Sequence, residues 1–162
     1  MTNALAEKLN HHDDAEDMSA HLIKHVSFTL GEETYAINAA RVNEVLRYTE
    51  ITPVPGAPSF ILGIINLRGN VVTVINGRGV FGLSNQAVSE QSRIIVVDIE
   101  DFALGIVVDR VSAIVDLNAQ EIETPPATGD ETSARFIQGV YNQEDELMIL
   151  VDFTRVTELL PR

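Results

Sequence analysis

Residues 60–83 read FILGIINLRGNVVTVINGRGVFGL and constrain this chain more tightly than any other stretch. Two apolar runs, 61–67 and 71–75, flank the charged tripeptide Arg68-Gly69-Asn70. Each run is too short for a buried helix and rich in β-branched residues, and Arg-Gly-Asn is hairpin punctuation. The stretch predicts a β-hairpin with an arginine at its tip. It also occurs twice. FILGIIN at 60–66 recurs as FIQGVYN at 136–142, and VVTVIN at 71–76 aligns without a gap with LMILVD at 147–152, at a constant offset of 136 − 60 = 76.

A second repeat lies upstream of each hairpin. HVSFTLGEETYAINAARVNEVL at 25–46 resembles IIVVDIEDFALGIVVDRVSAIV at 94–115, with Arg41-Val42 set against Arg110-Val111 at an offset of 110 − 41 = 69. The chain therefore reads as a duplicated unit, the first copy spanning about 21–83 and the second about 93–160. The offset grows by 76 − 69 = 7 residues, which the Pro/Gly/Thr/Ser-rich stretch 124–134 can absorb because lengthening a loop costs little.

A chain of 162 residues with 45% hydrophobic content suffices for one domain of ordinary size or two small ones sharing a core. The apolar runs are about half the roughly 20 residues a membrane-spanning helix requires, and the first ten residues do not read as a signal peptide. With no cysteine, disulfides and thiolate chemistry are excluded, and the cytoplasm is the default compartment. The net charge of −13, with eleven dispersed basic residues of which two are lysine, argues against nucleic acid or an anionic membrane as partner, since binding phosphates needs clustered Lys and Arg.

In chain order, residues 1–20 read as a flexible acidic tail. The run His11-His12-Asp13-Asp14-Ala15-Glu16-Asp17 offers a metal no more than a weak chelate. Alternation at Val26, Phe28 and Leu30 predicts a strand, which Gly31-Glu32-Glu33 turns into a second one. Asn38 then caps an expected helix over 39–46, with Val42, Val45 and Leu46 on its apolar face and Arg41 and Glu44 on another. Pro53, Pro55 and Pro58 keep the following stretch irregular. The second copy predicts strands over 93–99 and 102–108, a β-branched stretch at 109–117 and a helical turn at 118–121. The repeated hairpin and a short helix from Phe153 complete it. About five short strands per copy suit small closed barrels that hide their edges.

Catalytic constellations are missing from the body of the chain. All four histidines, at positions 11, 12, 21 and 25, lie at the N-terminal end, so no nucleophile-histidine pair or metal-ligand set assembles within the repeat. Gly77-Arg78-Gly79 with Gly82 lacks the lysine and the strand-loop-helix context of a phosphate loop. The notable feature is asymmetry: Leu67-Arg68-Gly69-Asn70 at the first hairpin tip faces Gln143-Glu144-Asp145-Glu146 at the second. An arginine fork beside apolar residues suits a protein partner.

FILGI followed by NLRGNVVTVI, together with FTLGEETYAIN, ARVNEVLRY, GIVVDRVSAIV and the terminal LMILVDF, resembles the CheW family of chemotaxis coupling proteins over residues 22–160. The resemblance implies an all-β fold of two packed five-stranded SH3-like β-barrels. It also implies a non-catalytic adaptor, without cofactor, that joins the histidine kinase CheA to the cytoplasmic tips of methyl-accepting chemoreceptors. On CheA the contact would be its own CheW-like regulatory domain. By position, the receptor-contacting groove would include Val42, Glu44, Gly63, Arg68 and Ile114. Val42 and Ile114 would take the apolar stripe of a receptor helical hairpin, Arg68 would pair a carboxylate, and Gly63 would permit close approach. The chain departs from the family pattern at Asn76-Gly77-Arg78, where an acidic residue and a larger one commonly precede the arginine.

Two other readings stand beside this one. They are a CheW-like adaptor of another chemosensory system, such as surface motility, and, less favoured, a small barrel with a ligand-binding or enzymatic role. Deleting residues 1–20 is expected to leave the fold intact, because the segment has no apolar periodicity with which to join a core. Thermal unfolding of the truncated chain should show a midpoint within about 5 °C of the full chain, and a larger fall would contradict the assignment.

Overall fold

Strand β1 (Leu22–Leu30) is buried on both faces from His25 to Phe28, and Gly31, at φ +63°, turns the chain into β2 (Glu33–Asn38). The structure, a computed structural model, describes residues 21–124 and 131–158. The expected tail and most of the loop at 124–134 fall outside these residues. The remaining elements are β3 (Val42–Arg47), β4 (Ile61–Leu67), β5 (Asn70–Asn76), α1 (Gly77–Val80), β6 (Arg93–Ile99), β7 (Phe102–Val108), β8 (Arg110–Asn118), α2 (Glu131–Phe136), β9 (Ile137–Gln143) and β10 (Glu146–Val151). Single 3-10 turns occupy Ala39–Arg41, Ala119–Glu121 and Thr154–Glu158.

The helix expected over 39–46 does not form. Asn38 does cap, its Oδ1 accepting from the Ala40 amide at 2.9 Å, but the turn ends at Arg41 and Val42 is already extended. The rest of the segment is β3, paired antiparallel with β6. An isolated helix of eight residues is marginal. Pairing with β6 satisfies the same backbone groups and covers a sheet edge as well. The second copy agrees, since its counterpart is β8. Asn43 bulges out between the Val42–Val97 and Glu44–Val96 pairs, and Ser112 does so between the Phe28–Val111 and Ser27–Ala113 pairs.

The ten strands form two five-stranded sheets of identical topology, ordered β8-β1-β2-β10-β9 and β3-β6-β7-β5-β4. Under the repeat, β1 to β5 correspond to β6 to β10, so the two orders map onto each other strand for strand. The repeat units are nevertheless not the barrels. Each sheet combines the first two strands of one copy with the last three of the other. The chain crosses between sheets twice, at the 3-10 turn Ala39–Arg41 and at Asp109.

Period-2 alternation gives each sheet two apolar faces. On their inner faces the sheets have small cores of their own: Leu117, Tyr141, Met148 and Leu150 in the first, and Ile65, Val72, Val74, Ile94 and Val96 in the second. The opposite faces meet in the main core, where Phe28, Leu30 and Ile37 pack with Ile75, Ile95, Leu104 and Ile106. A chain of rings, Phe28–Tyr35–Phe81–Phe153–Phe136, runs through it with successive centroids 5.6, 4.9, 6.2 and 5.4 Å apart.

Among the described residues, each sheet is closed by a single bridge. Thr52 and Ile64 exchange both backbone hydrogen bonds (2.9 and 2.8 Å), joining the chain leaving β3 to β4, and Glu123 and Val140 do the same (2.9 and 2.9 Å) beyond β8. A glycine sits beside each bridge. A Cβ on Gly63, which adopts φ +149°, would lie 2.0 Å from the Thr52 carbonyl oxygen, and one on Gly139 would lie 2.6 Å from Ile122 Cγ2. Gly63 thus admits the protein's own backbone and closes the barrel.

Asn76-Gly77-Arg78 is also built into the fold. Asn76 Oδ1 accepts from the Arg78 amide at 3.1 Å and starts α1, as Asp152 does for Thr154 in the second copy. A Cβ on Gly77 would lie 2.6 Å from the Val107 carbonyl oxygen, so no larger residue fits. Arg78 grips Asp109 with two hydrogen bonds of 2.8 and 2.7 Å, and Asp109 also accepts from the Gly31 amide at 2.8 Å. This network pins the crossing between sheets to the β1–β2 turn. Arg78 further donates to the Ser84 carbonyl at 2.9 Å and to Gln86, tying down the segment between the copies.

Gly63→Ala should destabilise the protein by about 2–4 kcal/mol in urea unfolding, through overpacking and a strained φ. Gly69→Ala, at φ +84° with nothing within 4 Å of its Cβ, should cost about 1 kcal/mol. Equal losses at the two sites would contradict the barrel-closing role. A pH test follows from Asp109. Burial pushes its carboxyl up, but the hydrogen bonds from Arg78 and the Gly31 amide, with the Arg78 charge, outweigh this and hold it below the usual range. A carboxyl depressed in the folded state stabilises above its unfolded pKa of about 4 and loses that stabilisation as pH falls through the folded value. Asp109→Asn should therefore narrow its stability deficit against the parent below about pH 4. A deficit constant from pH 7 to 3 would contradict this.

Candidate functional site

The β4–β5 hairpin turns on two residues of positive φ, Arg68 at +52° and Gly69 at +84°. This is the twist that a tight hairpin between strands requires. The Gly69 amide donates to Asn66 Oδ1 at 2.9 Å and fixes the turn. The second hairpin uses the same backbone with Glu144 at +48° and Asp145 at +67°. The tips are alike in geometry and opposite in charge.

The structure gives Arg68 a partner that no local pattern announces. Its guanidinium forms a two-pronged pair with Glu44 on β3, at 2.8 Å from Oε1 and 2.5 Å from Oε2, across 24 residues of sequence. The hydrogen bond from Arg68 holds the Glu44 carboxyl below the usual carboxylate range. The Arg68 side chain is 68% exposed while that of Glu44 is 21% exposed. The carboxylate therefore works from behind, fixing a fork whose outer edge faces solvent.

Register separates the five expected residues. Val42 pairs with Val97, and Ile114 with Val26, so both lie on the sheet faces that turn toward the main core. Ile114 stands at the margin of that face with 66% exposure, whereas Val42 is half-buried. Beyond the Asn43 bulge, Glu44 pairs with Val96 on the opposite face, at the end of the second barrel where Arg68 lies. Gly63 is buried and admits the Thr52 backbone at the bridge. The expected residues thus fall in two places, an apolar set on the faces toward the main core and a charged pair at a barrel tip.

Next to Arg68 runs an open groove bordered by Asn43, Leu67, Val71, Asp98, Asp101 and Phe102. Asn43, the bulged residue, donates to both oxygens of Asp98 at 3.3 and 3.2 Å. Val71, 63% exposed, gives the rim an apolar contact. Fixed polar groups around exposed apolar side chains suit a protein surface. Among the described residues there is no cluster of three or more His, Cys, Asp or Glu able to hold a metal ion, and no helix long and apolar enough to cross a membrane.

Comparison with known proteins agrees with this architecture. The family model described as the CheW-like domain matches residues 24–160. The chemotaxis protein CheW of Klebsiella aerogenes is 33% identical over 129 residues, covering 80% of this chain and 78% of that protein. Protein FrzA of Myxococcus xanthus is 27% identical over 133 residues, covering 81% and 82%. The crystal structure of the scaffolding protein TtCheW from Thermoanaerobacter tengcongensis superposes with a TM-score of 0.76 at 35% identity, covering 82% of this chain and 92% of that one. With a family model matched along most of its length and two barrels of the same fold, the chain belongs to the CheW-like domain family.

Proposed function

We propose that this chain is a non-catalytic adaptor that couples methyl-accepting chemoreceptors to the histidine kinase CheA, working in the cytoplasm at receptor arrays. The observation that supports it most directly is the braced Arg68 fork on a CheW-like scaffold. An arginine held in advance binds a partner's carboxylate with less ordering cost than a free side chain. In this reading, Val42 and Ile114 receive the apolar stripe of a receptor helical hairpin between the barrels. Glu44 positions Arg68, and Arg68 meets a carboxylate at the tip.

The likeness to FrzA favours a second reading, in which the same surfaces serve another chemosensory system. Co-purification from cell extract with identification of the bound kinase and receptors distinguishes the two.

Arg68→Ala should leave the urea midpoint essentially unchanged, because the pair is exposed, yet weaken capture of receptor-tip fragments or CheA. Arg68→Glu should weaken capture further by setting a second carboxylate against Glu44 and any acidic partner, and Arg68→Lys should restore it in part. Combining Arg68→Glu with Glu44→Arg rebuilds the internal pair with the charges exchanged. Stability should return while binding stays low. Full binding by Arg68→Glu, or a loss explained wholly by unfolding, would overturn the role.

A further inference from the structure

The two copies differ at one slot outside the site above. In the first barrel, Lys24 of β1 sits directly across from Asp116 of β8, and the two form an ion pair of 3.2 Å. The repeat offset of 69 carries Lys24 to Arg93 and Asp116 to Arg47 (24 + 69 = 93; 116 − 69 = 47). In the second barrel, Arg47 of β3 indeed sits directly across from Arg93 of β6. Equivalent slots thus hold an ion pair in one barrel and two like charges in the other. Like charges directly opposite each other on a sheet are destabilising.

Nothing among the described residues neutralises this pair. Neither arginine forms an ion pair with a carboxylate. Arg93 donates to the backbone carbonyls of Glu90 and Ser92 at 2.9 and 2.8 Å, which fixes its position without offsetting its charge. The Arg47 side chain is exposed and has no hydrogen-bond partner among the described residues. In a chain of net charge −13 with eleven basic residues, two adjacent unopposed guanidinia are a local reversal of sign. They line a groove of about 500 Å3 together with exposed Tyr48 and Val88 and with Glu90, whose single carboxylate forms an ion pair with neither arginine and leaves the groove net positive.

We propose that Arg47, Arg93 and Tyr48 form a second docking site, which takes a carboxylate side chain from an apolar stretch of a protein partner into the slot that Asp116 fills in the other barrel. Two cross-strand guanidinia offer a carboxylate more donors than one does, and Tyr48 and Val88 supply apolar contact beside them. A polyanion fits poorly, because the strongly negative remainder of the molecule repels extended chains of phosphate. The site is separate from Arg68 and stands or falls independently of the adaptor reading.

The test uses the full chain and follows the side-chain Nε–H signals of Arg47 and Arg93 by NMR. The probe is a blocked hexapeptide of leucine, aspartate and glutamate, compared with its asparagine and glutamine counterpart and with inorganic phosphate and heparin. Both signals should shift with the acidic peptide, and the affinity should fall at least about tenfold for the amide counterpart, as expected when a charged partner is removed from arginine. Equal binding of the amide peptide, or tighter binding of phosphate or heparin, would overturn the assignment. So would movement of both signals on deletion of residues 1–20, since the acidic run there would then be the occupant. Arg47→Asp supplies a second arm. It recreates the Lys24–Asp116 arrangement, and should raise the melting temperature by about 1–3 °C while abolishing the peptide-induced shift of Arg93. A lower melting temperature with peptide binding retained would show that the two slots are not equivalent.

Discussion

The shared core between the sheets is the constraint on which the rest depends. Each sheet has an apolar face that its own small barrel core leaves uncovered, and each covers that of the other. Strand exchange reinforces this. The first hairpin of each copy completes the barrel built on the last three strands of the other, so neither copy alone makes a full sheet. Burial of Phe28, Leu104 and Ile106 and the order of the strands therefore depend on a single cooperative arrangement. The Arg78–Asp109–Gly31 network stands where the chain passes between sheets and holds one barrel against the other.

On this symmetric frame, the surface chemistry is asymmetric. The equivalent hairpin tips carry Arg68 in one barrel and Glu144 in the other, and the equivalent cross-strand slots carry Arg47–Arg93 and Lys24–Asp116. Duplication fixes backbone geometry at both places, whereas exposed side chains are free to take up separate tasks. A two-barrel body with differently charged tips can meet two different partners while keeping their relative positions fixed. Such an arrangement is what an adaptor needs from its fold.

Much of this was legible in the sequence, and the failures are physical. The hairpins, the strands at 93–99 and 102–108 and the duplication follow from periodicity and turn residues, which are local signals. Residues 39–46 were misread because Val42, Val45 and Leu46 match a helical spacing. A bulge at Asn43 gives Val42 and Val45 that three-residue spacing on one face of a strand, while Leu46 packs on the other face. Exchange of strands between the copies has no local signature at all, since either pairing buries the same residues. The site was legible in part: Arg68 stood out by its charge, but its link to Glu44 depends on β3 being a strand. The lack of a side chain at Gly63 was legible, whereas its contact with the Thr52 backbone depends on how the barrel closes.

Native-state hydrogen exchange tests most directly whether the two barrels are one cooperative body. Ala36 and Leu150 in the first sheet, and Val74 and Ile106 in the second, are fully buried and their amides are the probes of choice. If the shared core and strand exchange govern stability, both sets will exchange with a single free energy equal to that of global unfolding, and with the same dependence on denaturant. Two distinct plateaus, with one sheet opening while the other stays protected, would contradict the account.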